Sequence, residues 1–266
     1  MPMPKPEAEF DLNCDLGEGE PPDRTLALLD LVDSANLATG GHAGDERSLR
    51  FGLAQARLRN VHAGAHPGLP GGGDFGRTAR HPVSPDDLRT LLADQLDRFA
   101  AVASELGVPW HHVKLHGALY HAVEADPDLA RVYLEGVVRH GPGRAVYARC
   151  GGEVQAAASR VPGVDVWAEA FLDRAYADDG TLVPRGTPGA LVTEPAEVRR
   201  RLVDLRTRAG LPTAGGGWVS LQPRTLCLHG DSPRAVECLR EIRREMPRPP
   251  GRTSDPHRVN PAAHRK

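Results

Sequence analysis

Seven short stretches of the chain carry the alternating or compact apolar patterns of strands, at positions 9–13, 34–38, 61–65, 111–115, 144–148, 164–168 and 224–228. Between most of them the apolar period lengthens to that of a helix. Leu49, Leu53, Ala54, Ala56 and Leu58 recur at helical spacing within residues 47–59. Ser84-Pro85-Asp86-Asp87 supplies a capping residue, a proline at the first helical position and an acid at the third, which predicts a helix running to near Gly107. Asp126-Pro127, Glu194-Pro195 and Asp231-Ser232-Pro233 mark three further helix starts. Strands separated by helices pair in parallel, because parallel neighbours need a crossover connection. Seven βα units in about 245 residues predict an α/β fold, a closed or nearly closed β/α barrel, with an open doubly wound sheet as the alternative.

Strand parity separates two kinds of face. Phe10, Leu12 and Cys14 share one side of the first strand, and Asp11, Asn13 and Asp15 the other. Val61, Ala63 and Ala65 oppose His62, Gly64 and His66 in the third. Val113 and Leu115 oppose His112, Lys114 and His116 in the fourth, and Leu226 and Leu228 oppose Thr225, Cys227 and His229 in the seventh. Apolar faces meet the helices, so the polar faces point into the barrel and toward its carboxyl mouth. A half-wet antiparallel sheet would also show a polar face, but intervening helices argue against that pairing. Buried charges are costly unless paired or used, so a ring of them at a barrel mouth predicts an enzyme.

Composition narrows the setting. Across 266 residues the formal net charge is -2, which provides no global field for nucleic acid or an anionic membrane. No apolar run approaches the roughly 20 residues of a membrane helix, and the opening residues lack a signal-peptide core. The 4 cysteines, Cys14, Cys150, Cys227 and Cys238, form no CxxC pair, so neither disulfides nor structural zinc are expected. A reduced, cytoplasmic protein follows as the expectation. Residues 1–246 are read as one barrel domain, and the Pro- and Arg-rich residues 247–266 as a disordered tail.

Candidate chemistry clusters at strand ends. Asn13, Asp15 and Glu18 suit positioning water, accepting a proton or holding a cation, or simply form a strand-capping turn. His42, flanked by small residues, stands open at the second strand's end, while Asp45 either binds ligand or caps the next helix. His66 and His116 occupy equivalent strand ends, and Lys114 suits neutralising developing negative charge. Glu169 is a candidate base. Arg174 is suited to a carboxylate or phosphate, unless it merely pairs with Asp173. Arg77 and Arg185 are loop cations. His229 and Asp231 end the seventh strand, with Asp231 also read as the last helix's N-cap. The catalytic candidates are therefore Asp15, His42, His66, Lys114, His116 and Glu169. The substrate- or phosphate-binding candidates are Asn13, Asp45, Arg77, Asp173, Arg174, Arg185, His229 and Asp231. The serine nucleophile elbow, the phosphate-binding Walker loop and the dinucleotide fingerprint are absent in the right context, which argues against serine chemistry and Rossmann cofactors.

In order, DLNCDLGEGE (11–20), SANLATGGHAGD (34–45), GAHPGLPGGGDFGRT (64–78), HVKLHGALYH (112–121), EAFLDRAYADDGTLVPRGTPGAL (169–191) and CLHGDSPRAV (227–236) resemble the LamB/YcsF family. The resemblance spans about residues 9–245 and implies a seven-stranded parallel β/α barrel of the glycoside hydrolase/deacetylase type. It further implies ATP-dependent hydrolysis of the cyclic amide 5-oxoproline (pyroglutamate) to L-glutamate, with ATP and Mg2+, alongside partner 5-oxoprolinase subunits B and C. Asp15, His42, Asp45, His66, Lys114, His116, Glu169, Asp173, Arg174, His229 and Asp231 match the family pattern. Departures fall at Thr39, Gly41, Thr78, Leu115 and His121, and Gly41 removes an aromatic from the mouth. In the implied reaction Lys114 and Arg174 neutralise phosphate or the substrate carboxylate, Asp15 or Glu169 activates water, and His66 or His116 protonates the leaving nitrogen. A metal-dependent deacetylase with ligands Asp15, His42 and His66, and a non-catalytic small-molecule binding barrel, are the alternatives.

Overall fold

The computed structural model describes residues 10–71, 73–79 and 81–248. Its barrel strands are β1 (Asp11–Leu16), β2 (Ser34–Ala38), β3 (His62–His66), β4 (Trp110–Lys114), β5 (Ala145–Arg149) and β6 (Asp165–Phe171). A separate antiparallel hairpin of β7 (Gly210–Pro212) and β8 (Trp218–Ser220) precedes β9 (Thr225–Cys227), which inserts between β6 and β1 and closes the barrel. All seven barrel pairings are parallel. The chain is thus a closed seven-stranded parallel β/α barrel, and the doubly wound alternative falls.

Eight helices among the described residues surround it: α1 (Pro22–Leu29), α2 (Glu46–Leu58), α3 (Pro85–Glu105), α4 (Gly117–Val123), α5 (Pro127–Arg139), α6 (Glu153–Ala157), α7 (Pro195–Arg208) and α8 (Ala235–Glu245). Ser84 caps α3 by accepting from Asp87 N, and Asp126 caps α5 by accepting from Asp128 N and Leu129 N. The last helix departs from the sequence reading. It begins at Ala235 after Arg234, so Asp231 is not its cap; residues 231–234 form a turn, and the Asp231 carboxylate is drawn to Arg77 and Arg185. Of the expected tail, Pro247 and Arg248 are described, with Arg248 donating to the Leu29 and Val32 carbonyls; the remainder lies outside the described residues. No helix among the described residues is long and apolar enough to cross a membrane.

Outward-facing Leu12, Cys14, Leu16, Ala35, Leu37, Ala63 and Ala65 join Leu28, Leu49, Leu53 and Leu96 of the helices in one buried core. Each fully buried leucine is worth about 2 kcal/mol relative to exposure. The inward faces are polar and stack in layers. At the floor, Asp11 accepts from Ser34 Oγ at 2.6 Å and Thr225 Oγ1 at 2.7 Å, and burial pushes its carboxyl up to about 6. Above it, Asn36 Nδ2 donates to Asn13 Oδ1 at 2.8 Å, and the His112 ring lies 2.7 Å from Asn36 Oδ1.

Gly64 is what admits that ring. It faces inward beside His112 on the paired strand, and a Cβ there would stand 2.2 Å from His112 Nε2. Gly64→Ala is therefore expected to destabilise the barrel by about 2–3 kcal/mol through overpacking. The denaturant midpoint measures this, and an unchanged midpoint would show that the interior layer yields freely.

Candidate active site

A cavity of about 240 Å³ opens at the carboxyl end of the barrel. Asp15 and Lys114 form part of its floor; Phe171, Leu115 and Leu182 give it apolar wall; Arg77, Arg174, Arg185 and His229 contribute polar and cationic wall. Each arrives from the end of a barrel strand or the loop behind it, as parity predicts.

Lys114 is the central group. Its Nζ donates to Asp15 Oδ1 at 2.6 Å, stands 3.8 Å from Glu169 Oε1 and 3.3 Å from Cys227 Sγ, and is 2 % exposed. Burial alone would favour the neutral amine, but the facing carboxylates hold its pKa well above the usual lysine range. Burial likewise opposes ionisation of Asp15, yet the groups facing it, His66 and Lys114 foremost, hold it well below the usual carboxylate range. Asn36 Nδ2 adds a hydrogen bond to Asp15 Oδ1 at 2.7 Å. Glu169 differs from Asp15: burial, partly offset by Lys114, pushes it up to about 7.

Behind this pair stands a histidine cluster. His66 Nδ1 lies 2.7 Å from the Lys114 carbonyl and His116 Nε2 lies 2.9 Å from the Phe75 carbonyl, so both nitrogens must donate. The remaining lone pairs, on His66 Nε2 and His116 Nδ1, face each other at 3.0 Å, with Glu18 Oε1 3.1 Å from His116 Nδ1. Acceptors converge there, and only a proton or a cation satisfies them. His42 Nε2 is 2.8 Å from Glu18, its ring stacked on His116 at 3.6 Å, and burial pushes it down to about 4. One donor atom from each of Glu18, His42, His66 and His116 lies within 4.8 Å of the others, a three-imidazole, one-carboxylate set that suits zinc. In this set Glu18 and His116 join His42 and His66, while Asp15, whose Oδ1 accepts from Lys114 and Asn36, groups instead with Cys227 and His229.

The candidate residues sort by position. Asp15, Lys114, His116, Arg77, Arg174, Arg185 and His229 line the cavity. His42 and His66 lie in the cluster, while Asn13 sits lower, donating to Glu169 Oε1 at 3.0 Å and Thr225 Oγ1 at 2.7 Å. Asp173 does not pair with Arg174; it accepts from His229 N and Nδ1, both at 2.9 Å, and is held down to about 2 against burial by His229. Asp231 bridges Arg77 and Arg185 at the rim. Asp45 does not join them, because it is exposed and spent on a reciprocal capping box with Ser48 at the start of α2.

Arg174 stands out. It is 3 % exposed, donates to the Val183 carbonyl at 2.7 Å, and its buried Nε has no hydrogen-bond partner. Among the described residues it forms no ion pair.

Sequence reasoning named Glu18 beside Asn13 and Asp15 but left three contributors, Tyr120, Phe171 and Gln95, unnamed. Gly17 and Gly19, with φ values of 74° and 100°, turn the chain that carries Glu18 back over the mouth. Tyr120 and Phe171 line the cavity but read as ordinary apolar positions. Gln95 is a polar residue on the apolar stripe of α3, which was its signal. Its amide pairs with Gly68 in both directions, at 2.8 and 3.1 Å, and fixes the loop against His42. A Cβ on Gly41 would stand 2.4 Å from Gln95 Nε2, so this amide fills space that the aromatic at that position would need.

The LamB/YcsF family model matches residues 10–258. The chain is 39% identical over 242 residues to the A subunit of 5-oxoprolinase from Pyrococcus furiosus, covering 90% of this chain and 94% of that one. It is 37% identical over 243 residues to the corresponding 5-oxoprolinase chain of Thermococcus onnurineus, covering 90% and 94%. A crystal structure of the lactam utilization protein from Thermus thermophilus superposes with a TM-score of 0.80 at 32% identity, over 90% of this chain and 97% of that one. With its seven-stranded barrel and the polar mouth just described, this chain belongs to the LamB/YcsF family.

Proposed function

We propose that this chain is the lactam-opening component of an ATP-coupled 5-oxoprolinase, working with partner subunits B and C. The observation that carries the reading is Arg174, a buried guanidinium without an ion-pair partner among the described residues, lining the same cavity as the Lys114–Asp15 pair. 5-Oxoproline brings one carboxylate and one lactam. The carboxylate answers Arg174 in the bidentate manner guanidinium favours. The ring packs on Phe171 and Leu182, and the lactam oxygen turns to Lys114, whose charge offsets the one that develops there. Asp15, kept ionised, orients the attacking water. His229 has Nδ1 held by Asp173 and Nε2 3.8 Å from Asp15 Oδ2, so it takes a proton from water and returns it to the freed nitrogen. That role passes to His229 from His66 and His116, whose donating nitrogens are committed to backbone carbonyls and whose other nitrogens face each other, with Glu18 beside them.

ATP, with Mg2+, supplies the driving force that lactam hydrolysis lacks, by converting the amide into a phosphorylated imidate whose carbon water can attack. The cavity, at about 240 Å³, lies below the roughly 300–1,000 Å³ of drug-sized sites, which suits a five-membered lactam better than a nucleotide. The co-purified three-component complex is expected to release glutamate from 5-oxoproline in step with ATP hydrolysis. Lys114→Ala should lower kcat at least about 10³-fold, and Arg174→Ala should raise KM for 5-oxoproline about 10–100-fold, with Arg174→Lys a poor substitute. Unchanged constants in both variants would sink the assignment.

The facing lone pairs of His66 and His116 favour a second reading, a metal-assisted amide hydrolase. Glu18, His42, His66 and His116 would hold the ion, whose chemistry is to polarise a carbonyl or acidify a water. Elemental analysis of protein purified without chelator decides it. About one zinc-like ion per chain, lost in His66→Ala, supports this reading; metal-free protein with full turnover removes it.

A further inference from the structure

Glu169 is fully buried on β6 and does not itself line the cavity. Tyr120, on α4, does line it, and its hydroxyl oxygen stands 3.2 Å from Glu169 Oε2, a hydrogen bond in which the hydroxyl donates to the carboxylate and accepts from the protonated acid. The other carboxyl oxygen is taken from below: Asn13 Nδ2 donates to Oε1 at 3.0 Å and Lys114 Nζ stands 3.8 Å from it. Glu169 therefore has one oxygen anchored in the barrel interior and one facing the cavity through a single hydroxyl. The Tyr120 ring is fixed edge-on to Phe171, with centroids 5.8 Å apart and planes at 88°, so the hydroxyl is held in place.

We infer that Tyr120 is a proton relay, passing a proton from Glu169 to the nitrogen released in the cavity. The inference deepens the lactam-opening reading and rests on it. ATP transfers its γ-phosphoryl group to the lactam oxygen, releasing ADP and the ring N–H proton and leaving a phosphorylated cyclic imidate. Water adds to its carbon and gives one proton to His229, while the C=N electron pair takes the Tyr120 hydroxyl proton and Tyr120 takes the proton of Glu169. The C–N bond then breaks with the proton on His229 passing to nitrogen, and the new hydroxyl returns its proton to Glu169 as the carbonyl of an acyl phosphate forms. A second water cleaves the acyl phosphate to carboxylate and inorganic phosphate, so Glu169, Tyr120 and His229 all end as they began.

The surroundings keep Glu169 able to act this way. It is pushed up to about 7 by burial, with Lys114 from β4 pulling the other way and Asp15 from β1 reinforcing the rise. The neighbouring thiols Cys150 and Cys227 and the phenols Tyr133, Tyr147 and Tyr176 are all pushed up by burial, so none of them charges near neutral pH. The protonated acid is the donor form, so the relay works below about pH 7 and fades as pH rises through it.

The test uses the intact complex with Tyr120→Phe, Glu169→Gln and the double variant. Wild-type kcat is expected to fall near neutral pH; Tyr120→Phe should lower kcat about 10²-fold, leave KM for 5-oxoproline within about threefold, and abolish that fall. The double variant should be no slower than the slower single one, because the two residues act as one unit. Thermal unfolding of each variant separates this from loss of fold. Infrared spectra of the isolated chain add a readout independent of turnover: a protonated-carboxyl band that titrates near pH 7, is missing in Glu169→Gln and shifts in Tyr120→Phe. Wild-type kcat in Tyr120→Phe, or absence of that band, overturns the relay. A wild-type complex that releases no glutamate overturns instead the lactam-opening reading on which it rests.

Discussion

The Lys114 ammonium, 2.6 Å from Asp15 and almost wholly withdrawn from solvent, sets the terms for the whole barrel interior. Desolvating an ion pair costs several kcal/mol per ion unless hydrogen bonds satisfy what remains. The interior is built to that requirement. Asn36 supports Asp15, Asn13 supports Glu169, and Thr225 links Asn13 down to Asp11. A wall of leucine and valine, usual inside such barrels, would leave this pair uncompensated. The polar lining is thus a consequence of placing one lysine on an inward strand position. Two carboxylates then diverge around the same cation: Asp15 stays ionised, while burial keeps a proton on Glu169 up to about neutral pH.

The same arrangement divides the mouth by chemistry. On one side, Glu18 and three imidazoles enclose converging lone pairs. On the other, Arg77 and Arg185 share the single carboxylate of Asp231, and Arg174 has no ion-pair partner among the described residues. The rim therefore carries more positive charge than it neutralises, in a chain whose overall charge is nearly balanced at -2. That local surplus, rather than any global field, is the feature on which the proposed binding of an anionic substrate rests.

Much of this was legible in the chain. Strand parity alone assigned Asn13, Asp15, His66, Lys114 and His116 to the inward face, because a period of two leaves no freedom once the helices claim the other side. Helix starts were legible where a side chain caps them, as at Ser84 and Asp126. They were not at Asp231, where the helix-cap pattern of Asp-Ser-Pro lost to two arginines from distant loops. Such long-range pairings leave no local trace. Gln95 shows the same limit: its polarity on an apolar stripe was visible, but its partner, Gly68, is reached only through the fold. Asp173 and Arg174 are neighbours in sequence, yet their side chains turn to different partners, His229 and the Val183 carbonyl.

The central claim is that the cavity seats a carboxylate on Arg174 and presents a lactam to Lys114. A crystal structure of the protein soaked with 5-oxoproline tests it most directly. The account predicts the ring between Phe171 and Leu182, its carboxylate on the Arg174 guanidinium and its lactam oxygen toward Lys114 Nζ. A ligand bound elsewhere, or seated in the cavity with its carboxylate away from Arg174, would contradict it.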